Sequence, residues 1–328
     1  MPDICKVRAL SLLSGGLDSL LAVKVLQEQG IEVTGLTFTS PFFGAENARR
    51  GADQLGIELV VCDITKEMVS LVKNPPHGYG KGMNPCIDCH SLMVKKAGEF
   101  MERDGFDFIA TGEVLGERPM SQNIQSLSTV ARDSGYAGYL LRPLSAKLLE
   151  PTKPEREGKV DREKLLAIEG RSRKPQMALA TKYGITSYLQ PAGGCLLTDP
   201  AFSARLRDLL KHDPSATPED IRLLRMGRHF RLASGAKAIV GRDEKDNRRI
   251  EEAAREGDCL VVSDITPGPV VLLTAPFDPA DVDAVAQLCA SFADNRGEEI
   301  DLEVRLPSET KRMRAKPSER SDFDAMRI

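Results

Sequence analysis

The sequence predicts an α/β fold, a doubly wound parallel sheet, followed by a second, smaller α+β domain. Three observations carry this prediction. Strand-like and helix-like segments alternate as far as residue 115, which is typical of a parallel sheet with covering helices. A glycine-rich turn at residues 14–19 follows the first apolar segment. From residue 201 onward the helices and short strands no longer alternate in this way.

The first domain is predicted to span residues 1–200. Residues 7–13 (VRALSLL) form a buried strand, and the apolar-periodic helix after it ends at Gly30. Later strands are IEVTGLTF, ELVVCDI and FDFIATG, and the helices include AENARRGADQLG, TKEMVSLVKN and CHSLMVKKAGEFMERDG. An insertion with long loops reaches Lys174, and the helix KPQMALATKYG closes the domain. Ligands of such sheets bind at the carboxyl ends of the strands.

The second domain is predicted at residues 201–306. Its helices are AFSARLRDLLKH, TPEDIRLLRMG, DEKDNRRIEEAAREG and residues 279–294. Its strands are HFRLA, AKAIVG, CLVVS, PVVLLT and IDLEVRL. The size is ordinary for a domain. Residues 307–328 are interpreted as a charged tail that frays, because polar chain ends are rarely held down.

Composition excludes some functions. The 328 residues carry a net charge of −3 and contain no long apolar run, so no membrane span and no membrane partner are predicted. The N-terminus lacks the features of a secretory signal, which makes the cytoplasm the expected location. A surface for nucleic acid would have to be local. Residues 142–174 and 311–316 are basic enough to supply one, although charge alone favours a solvated loop.

The seven cysteines fall into two groups. An odd number in a chain of this type argues against a disulfide framework. Cys5, Cys62, Cys259 and Cys289 lie in apolar segments or at the chain start, and we expect them to be buried as small hydrophobic residues. The other three lie in polar, glycine-rich or proline-rich settings.

The string Ser14-Gly15-Gly16-Leu17-Asp18-Ser19 is the sharpest motif. Glycines after a strand let the backbone approach an anion, and the following helix directs free N–H groups at the same point. Serine hydroxyls add donors, and Asp18 is a candidate ligand for Mg²⁺. The lysine of an ordinary P-loop is missing. A different nucleotide-binding loop, for ATP with magnesium, is therefore predicted.

Cys86 and Cys89 form a CxxC pair, and Cys195 follows two glycines. A CxxC pair is compatible with zinc, with a redox couple or with two ligands of an iron–sulfur cluster. A zinc site would usually need a fourth ligand. His90 is awkwardly placed beside Cys89, and the context of His77 does not mark it as a ligand.

At residues 14–19 the chain resembles the PP-loop ATP pyrophosphatase superfamily, whose signature is SGGxDS and whose fold is adenine nucleotide alpha hydrolase-like. Members transfer AMP from ATP to a carbonyl or carboxyl oxygen. The resemblance implies that this loop holds the leaving pyrophosphate. It also implies that the segment around Thr37 contacts adenine and that Gly112 and Glu113 border the nucleotide.

The cysteines narrow the resemblance to the tRNA thiolation branch, the 2-thiouridylases and 4-thiouridine synthetases. TGEVLGERPMSQ and LLRPL are similar to segments of the latter. The resemblance implies catalytic roles for Cys86, Cys89, Cys195 and Asp18. In one alternative the three cysteines hold a 4Fe–4S cluster; in the other, one cysteine carries a persulfide. The sulfur donor would be a cysteine desulfurase persulfide or sulfide. A homodimer is compatible with this interpretation.

Residues 225–275 are similar to the RNA-binding domain of the NFACT family, which implies that Arg228, Arg231 and Arg242 contact RNA phosphates. The alternative for these arginines is a solvated charged face. The predicted function is ATP-dependent thiolation of tRNA uridine: adenylation of a uridine carbonyl, then sulfur transfer. The rival hypotheses are an adenylating amidotransferase or ligase for a small molecule, and a non-catalytic RNA-binding or sulfur-trafficking protein.

Overall fold

The computed structural model describes residues 6–188, 195–263, 266–294 and 297–328. The chain divides into two compact units, Met1–Thr198 and Asp199–Ile328. Within the described ranges no helix is long and apolar enough to cross a membrane.

The first unit contains a five-stranded, wholly parallel sheet with the order β3-β2-β1-β4-β5. Its strands are β1 (Arg8–Leu12), β2 (Glu32–Thr39), β3 (Leu59–Asp63), β4 (Phe108–Ala110) and β5 (Leu140–Leu141). The central strand β1 is buried along its middle, because helices cover both faces of a doubly wound sheet. The predicted α/β fold is confirmed.

The helices of this unit begin and end close to the sequence signals. They are α1 (Leu17–Gln27), α2 (Glu46–Leu55), α3 (Thr65–Lys73), α4 (Cys86–Asp104), α5 (Ile124–Ser134), α6 (Lys153–Arg156) and α7 (Lys174–Tyr183). Gly56, Gly105, Gly135 and Gly184 cap four of them in the left-handed conformation. Gly30 also has positive φ, but α1 already ends at Gln27, with Glu28 as its cap.

The strand order reverses between β1 and β4, where the chain returns to the opposite side of the first strand. Ligand sites of doubly wound sheets lie at this reversal. Gly112, just after β4, passes so close to α1 that an added Cβ would lie 2.5 Å from the backbone nitrogen of Ser19. We call the loops at residues 13–16, 40–45 and 111–123, which follow β1, β2 and β4, the carboxyl edge.

The second unit contains a six-stranded antiparallel sheet with the order β11-β10-β8-β9-β7-β6. The strands are β6 (Arg228–Arg231), β7 (Lys237–Val240), β8 (Cys259–Ser263), β9 (Val270–Thr274), β10 (Ile300–Arg305) and β11 (Thr310–Ala315). Its helices are α8 (Pro200–His212), α9 (Pro218–Leu223), α10 (Glu244–Ala253) and α11 (Pro279–Phe292). Helix α11 packs over an apolar core on one face. The smaller α+β unit is thus present.

The C-terminal segment differs from the expectation of a fraying tail. Residues of β11 pair along the whole length of β10, and a 3-10 helix follows at Arg320–Met326. Phe323 is buried in the core of the unit, and the backbone N–H of Ile328 donates to the carbonyl of His229. Polar composition misled here because one buried phenyl ring and a strand pairing are enough to hold a charged segment in place.

Candidate active site

The loop at residues 14–19 joins β1 to α1 at the carboxyl edge. Gly15 has a φ of +79°, and an added Cβ would lie 2.3 Å from the backbone oxygen of Asn47 on α2. Only glycine fits this position, since the conformation is left-handed and the space is filled by backbone. Ser14 Oγ accepts a hydrogen bond from the N–H of Gly16, and Ser19 Oγ donates to the carbonyl of Gly16. The turn is therefore closed by its own serines.

Asp18 points into this site from the first turn of α1. Its Oδ1 atom is buried and has no hydrogen-bond partner among the described residues. Burial raises the pKa of Asp18, and the positive charges of Arg173 and Arg118 only partly oppose this effect. A buried acceptor without a partner is costly. The atom is therefore placed to receive a cation or a donor from outside the chain, as a Mg²⁺ ligand would be.

Three residues that the sequence analysis did not select lie around Asp18: Arg118 in the loop after β4, and Arg173 and Gln176 at the start of α7. Gln176 is fully buried, yet neither atom of its amide has a partner in the described part of the chain. The same holds for Arg173 Nε. The sequence signal for Arg173 and Gln176 is the basic run before an apolar-periodic helix. Charge alone indicates that this run is a solvated segment.

The predicted nucleotide-border residues lie at the same edge. Thr37 is buried near the end of β2, and Gly112 follows β4. Glu113 is also buried, and both of its carboxylate oxygens are engaged within the protein: Oε1 contacts His90 Nδ1 at 2.8 Å, and Oε2 accepts from Arg142 Nε at 2.9 Å. Glu113 thus holds His90 and Arg142 in place, and its carboxylate has little hydrogen-bonding capacity left for a ligand.

The electrostatics of Glu113 follow from this pairing. Burial alone would raise the pKa of the carboxyl, but the Arg142 guanidinium and the His90 ring outweigh burial and hold the pKa well below its usual range. Arg142 is equally buried and also donates to the carbonyl of Leu127. This network joins α4 to the strands β4 and β5, since His90 lies on α4.

Cys86 and Cys89 lie in the first turn of α4, whereas Cys195, the third candidate cysteine, comes from a distant part of the chain. Cys86 Sγ accepts a hydrogen bond from Asn84 Nδ2 at 3.1 Å. Burial raises the pKa of Cys89 far above its usual value, and the charges of Cys195 and Cys86 raise it further. The structure therefore brings Cys195 within electrostatic reach of the CxxC pair, although more than 100 residues separate them.

Cys195 itself is held by the segment that follows it. The N–H of Leu196 donates to the carbonyl of Phe42 after β2, and the N–H of Met83 donates to the carbonyl of Leu197. Burial, with a contribution from Cys86, raises the pKa of Cys195 to about 11, and Arg118 opposes the rise. Arg118 thus acts on both Asp18 and Cys195. The glycines before Cys195 lie outside the described residues.

Neither nearby histidine completes a metal site. His77 contacts Asp88 at 2.6 Å through Nδ1 and Asp133 at 3.5 Å through Nε2, and His90 is bound to Glu113. In the described ranges, no group of three or more histidine, cysteine or acidic side chains is arranged to hold a metal ion. The three cysteines match an iron–sulfur cluster in the type and number of donors but not in their arrangement.

The remaining cysteines agree in part with the expectation of burial. Cys259 and Cys289 are fully buried in the second unit, whereas Cys62 is half-buried on β3. Cys5 lies outside the described residues.

The arginines predicted to contact RNA are largely occupied. Arg231 pairs with Asp208 and donates to the carbonyl of Gly235. Arg242 is half-exposed and pairs with Asp246 at 2.5 Å. The pairing of Arg231 is invisible in the sequence because Asp208 lies 23 positions before it, whereas Arg242 and Asp246 are only four positions apart.

Arg228 belongs to a larger positive group. Its guanidinium lies 5.2 Å from the Phe292 ring centroid, and that of Arg320 lies 5.1 Å from the same ring. Burial lowers the pKa of Arg228, and repulsion from Arg320, Arg327 and Arg242 lowers it further. We call Arg228, Arg242, Arg320 and Arg327 the arginine group. Because Arg242 is paired with Asp246, the positive charge of this group, which favours a polyanion, comes mainly from Arg228, Arg320 and Arg327.

The basic segment at residues 142–174 has less free charge than its composition suggests. Arg142 is buried, and five further cations in the segment form ion pairs: Lys147, Lys153, Lys159, Arg162 and Lys164. The solvated-loop interpretation fits these residues better than an RNA surface.

Two family models match the chain. Residues 5–147 match the family described as Thiamine biosynthesis protein (ThiI), and residues 227–325 match the family described as NFACT protein RNA binding domain. The first match includes the loop at residues 14–19 and the CxxC pair. Cys195, Arg173 and Gln176 lie beyond it.

The chain is also similar to curated relatives and to a solved structure. A tRNA-specific 2-thiouridylase, MnmA 1 of Syntrophus aciditrophicus, is 30% identical over 58% of this chain and 57% of the relative. MnmA of Treponema denticola is 35% identical over 32% of this chain and 33% of the relative. The structure of a 4-thiouridine synthetase–RNA complex with bound ATP aligns with 66% of this chain and 52% of that chain, at 20% identity and a TM-score of 0.38. The chain thus spans a third to just over half of these curated relatives.

Replacing Glu113 by Gln should lower the free energy of unfolding of the first unit by about 3–5 kcal/mol at pH 7, because Arg142 is left buried without its counter-charge. Chemical denaturation measures this. The pKa of Glu113 is depressed, so its contribution is complete above the usual glutamate pKa of about 4.3 and is lost as the pH falls through the folded pKa. The difference between the variant and the native chain should therefore persist from pH 8 to about 5 and shrink below that.

Glu163→Gln is the matched control, since its partner Lys147 is at 3.3 Å but Glu163 is 88% exposed. The Glu163→Gln variant should lower the free energy of unfolding by less than about 1 kcal/mol. An equal loss of unfolding free energy in both variants would contradict the assigned role of Glu113.

Proposed function

We propose that this chain, with a ThiI-family domain and an NFACT-type RNA-binding domain, is an ATP-dependent tRNA sulfurtransferase that converts a uridine to a thiouridine. The observation that carries the proposal is that candidate groups for adenylation and candidate groups for sulfur transfer share the carboxyl edge. The nucleotide loop at residues 14–19 and the three cysteines lie at the same edge of one sheet, and Arg118 is near enough to influence Asp18 and Cys195 together. Relatives named as tRNA 2-thiouridylases support the same assignment.

The first step would be adenylation of a uridine carbonyl oxygen. The oxygen attacks the α-phosphorus of ATP, and pyrophosphate leaves with the bridging electron pair. The N–H groups at the start of α1, with Ser14 and Ser19, would bind the leaving group. Arg173 and Gln176 would add donors, which accounts for their buried atoms without partners. Asp18 would hold Mg²⁺, and the ion would neutralise charge on the phosphates.

The second step would replace oxygen by sulfur. A sulfur nucleophile attacks the activated carbon, and the C–O bond breaks as AMP departs with its electron pair. The nucleophile must be a sulfur anion that can leave its sulfur on the base, either the terminal sulfur of a persulfide or a sulfide, because a cysteine thiolate would stay attached to the uridine as a thioether. With a persulfide, a second cysteine thiolate would then attack the inner sulfur, the S–S bond would break with its electron pair moving to the sulfur of the thiouridine, and the two cysteines would form a disulfide. In the free chain the raised thiol pKa keeps Cys195 protonated near neutral pH, so a positive charge is needed nearby. Arg118 supplies one, and it would also attract the phosphate of the adenylated uridine.

The sulfur would be held by the three cysteines. We propose that Cys86, Cys89 and Cys195 are ligands of a 4Fe–4S cluster, which three thiolates would leave with one open iron. Their number and mutual charge repulsion support this, whereas their present arrangement does not form a metal site. The other candidate is a persulfide on one cysteine, whose outer sulfur would be transferred from the persulfide of a cysteine desulfurase.

The second unit would hold the tRNA. Phosphates bind arginine through charge and hydrogen bonds, and such contacts position an RNA without reading its sequence. The arginine group is the best-supported surface, because Arg228 and Arg320 share the Phe292 ring and have no carboxylate partner among the described residues. Arg231, already paired with Asp208, is a weaker candidate than the sequence suggested.

The adenylation step can be tested by measuring AMP and pyrophosphate release from ATP with and without unmodified tRNA. Both products should form in equal amounts and require tRNA. Asp18→Asn should slow the reaction on the order of a hundredfold, since a transition-state contact is lost. Asp53→Asn, an exposed aspartate of α2, should leave the rate unchanged. Release of ADP and phosphate, or equal release without tRNA, would overturn the proposal.

The cluster can be tested separately by anaerobic purification. The chain should be brown and contain about four irons and four sulfides when the site is full. Cys195→Ala should lose iron and thiolation together, whereas Cys259→Ala, in the second unit, should keep both. Colourless anaerobic protein that still thiolates tRNA would reject the cluster and favour the persulfide.

A further inference from the structure

The second unit contains a cavity of about 670 Å³ that the proposed reaction does not use. Its walls come from the ends of α8 and α9, the turn between β6 and β7, and the segment after β9. Lys237, the first residue of β7, lines it. The lysine is only 6% exposed, and no hydrogen bond or ion pair reaches its ammonium group from the described part of the chain.

The position of Lys237 makes this lack of a partner unusual. Arg231 lies directly opposite on β6, and Thr274 lies opposite on β9. Like charges opposite each other in a sheet repel. Arg231 is satisfied by Asp208 and by the carbonyl of Gly235, so the lysine carries the surplus positive charge.

The pKa of Lys237 reflects this environment. Burial and, to a smaller extent, repulsion from Arg231 lower it to about 8, although Asp208 and Asp220 oppose the change. The charged and titratable groups that surround the amine are Arg205, Asp208 and His212 of α8, Asp220 of α9, His229 and Arg231 of β6, and Arg255.

The acids in the cavity wall are not available to pair with the lysine. Each accepts hydrogen bonds from donors within the unit: Asp213, Asp220, Asp258, Asp278 and Asp281. Because these acids remain negative, they repel anions, and a ligand of high charge such as a polyphosphate is repelled more strongly than a ligand with a single negative charge. Apolar side chains of Leu209, Leu223 and Phe277 complete the wall.

The buried side chain of Lys237 thus brings to an accessible cavity an ammonium group that no carboxylate pairs with among the described residues. We propose that this cavity binds a small organic acid with a single carboxylate, which pairs with Lys237 while the apolar body of the ligand contacts Leu209, Leu223 and Phe277. This inference does not depend on the proposed thiolation. It assigns the second unit a small-molecule site in addition to an RNA surface.

The test uses the full chain and two probes of equal shape, 4-phenylbutyrate and its neutral amide, with binding measured by calorimetry from pH 6.5 to 9.5. The carboxylate should bind and the amide should bind at least about tenfold more weakly, since one buried ion pair separates them. The lysine loses its charge as the pH rises through its pKa, so affinity for the carboxylate should fall above about pH 8. His212→Gln should leave that fall unchanged.

Variants then assign the effect to one residue. Lys237→Met should abolish carboxylate binding, and Lys245→Met, an exposed lysine of α10, should not change it. Lys237→Arg should keep binding but remove the fall above pH 8, since arginine stays charged. Equal affinity for acid and amide, or no pH dependence, would overturn the proposal in the native chain whether or not Lys237→Met folds. Undiminished binding to folded Lys237→Met would also overturn it.

Discussion

The buried contact between Glu113 and Arg142 is the interaction on which the arrangement of the active site depends. Glu113 follows β4, Arg142 follows β5, and His90 brings α4 into the same network. Because Cys89 is adjacent to His90 and Cys86 lies one turn before it, this network also fixes the cysteines relative to the nucleotide loop. A charge pair this deeply buried is stable only while both partners are present.

Two further constraints act on the same edge. Gly15 and Gly112 allow the backbones of three segments to approach without room for a Cβ, which forms a cradle of N–H groups at the start of α1. Around that cradle lie polar atoms of Asp18, Arg173 and Gln176 that find no partner among the described residues. Such atoms are rare in folded proteins, and they concentrate where a nucleotide and a metal ion would supply the missing partners. Leaving these polar atoms without partners lowers local stability, but it keeps them available to bind a ligand.

Much of this was predictable because the signals were local. Apolar runs and the glycines at 56 and 105 mark elements correctly, and the string at residues 14–19 combines a strand end, a turn and a helix start. Contacts distant in sequence were not predictable. Nothing near Arg231 reveals its pairing with Asp208, and composition gives no sign that Phe323 holds the C-terminal segment. Arg173 and Gln176 were missed because their role appears only where α7 meets Asp18. The grouping of Cys195 with the CxxC pair, by contrast, was implied by resemblance alone.

We propose that one edge of the sheet carries both the adenylation of the uridine and the transfer of sulfur to it. The most direct measurement is the modified-nucleoside profile of total tRNA, by mass spectrometry, from a strain that lacks this gene and from the same strain carrying native, Asp18→Asn or Cys195→Ala chains. One thiouridine should disappear in the deletion, return with the native gene and stay absent with either variant. An unchanged set of thiouridines in the deletion strain, or full restoration by both variants, would contradict the account.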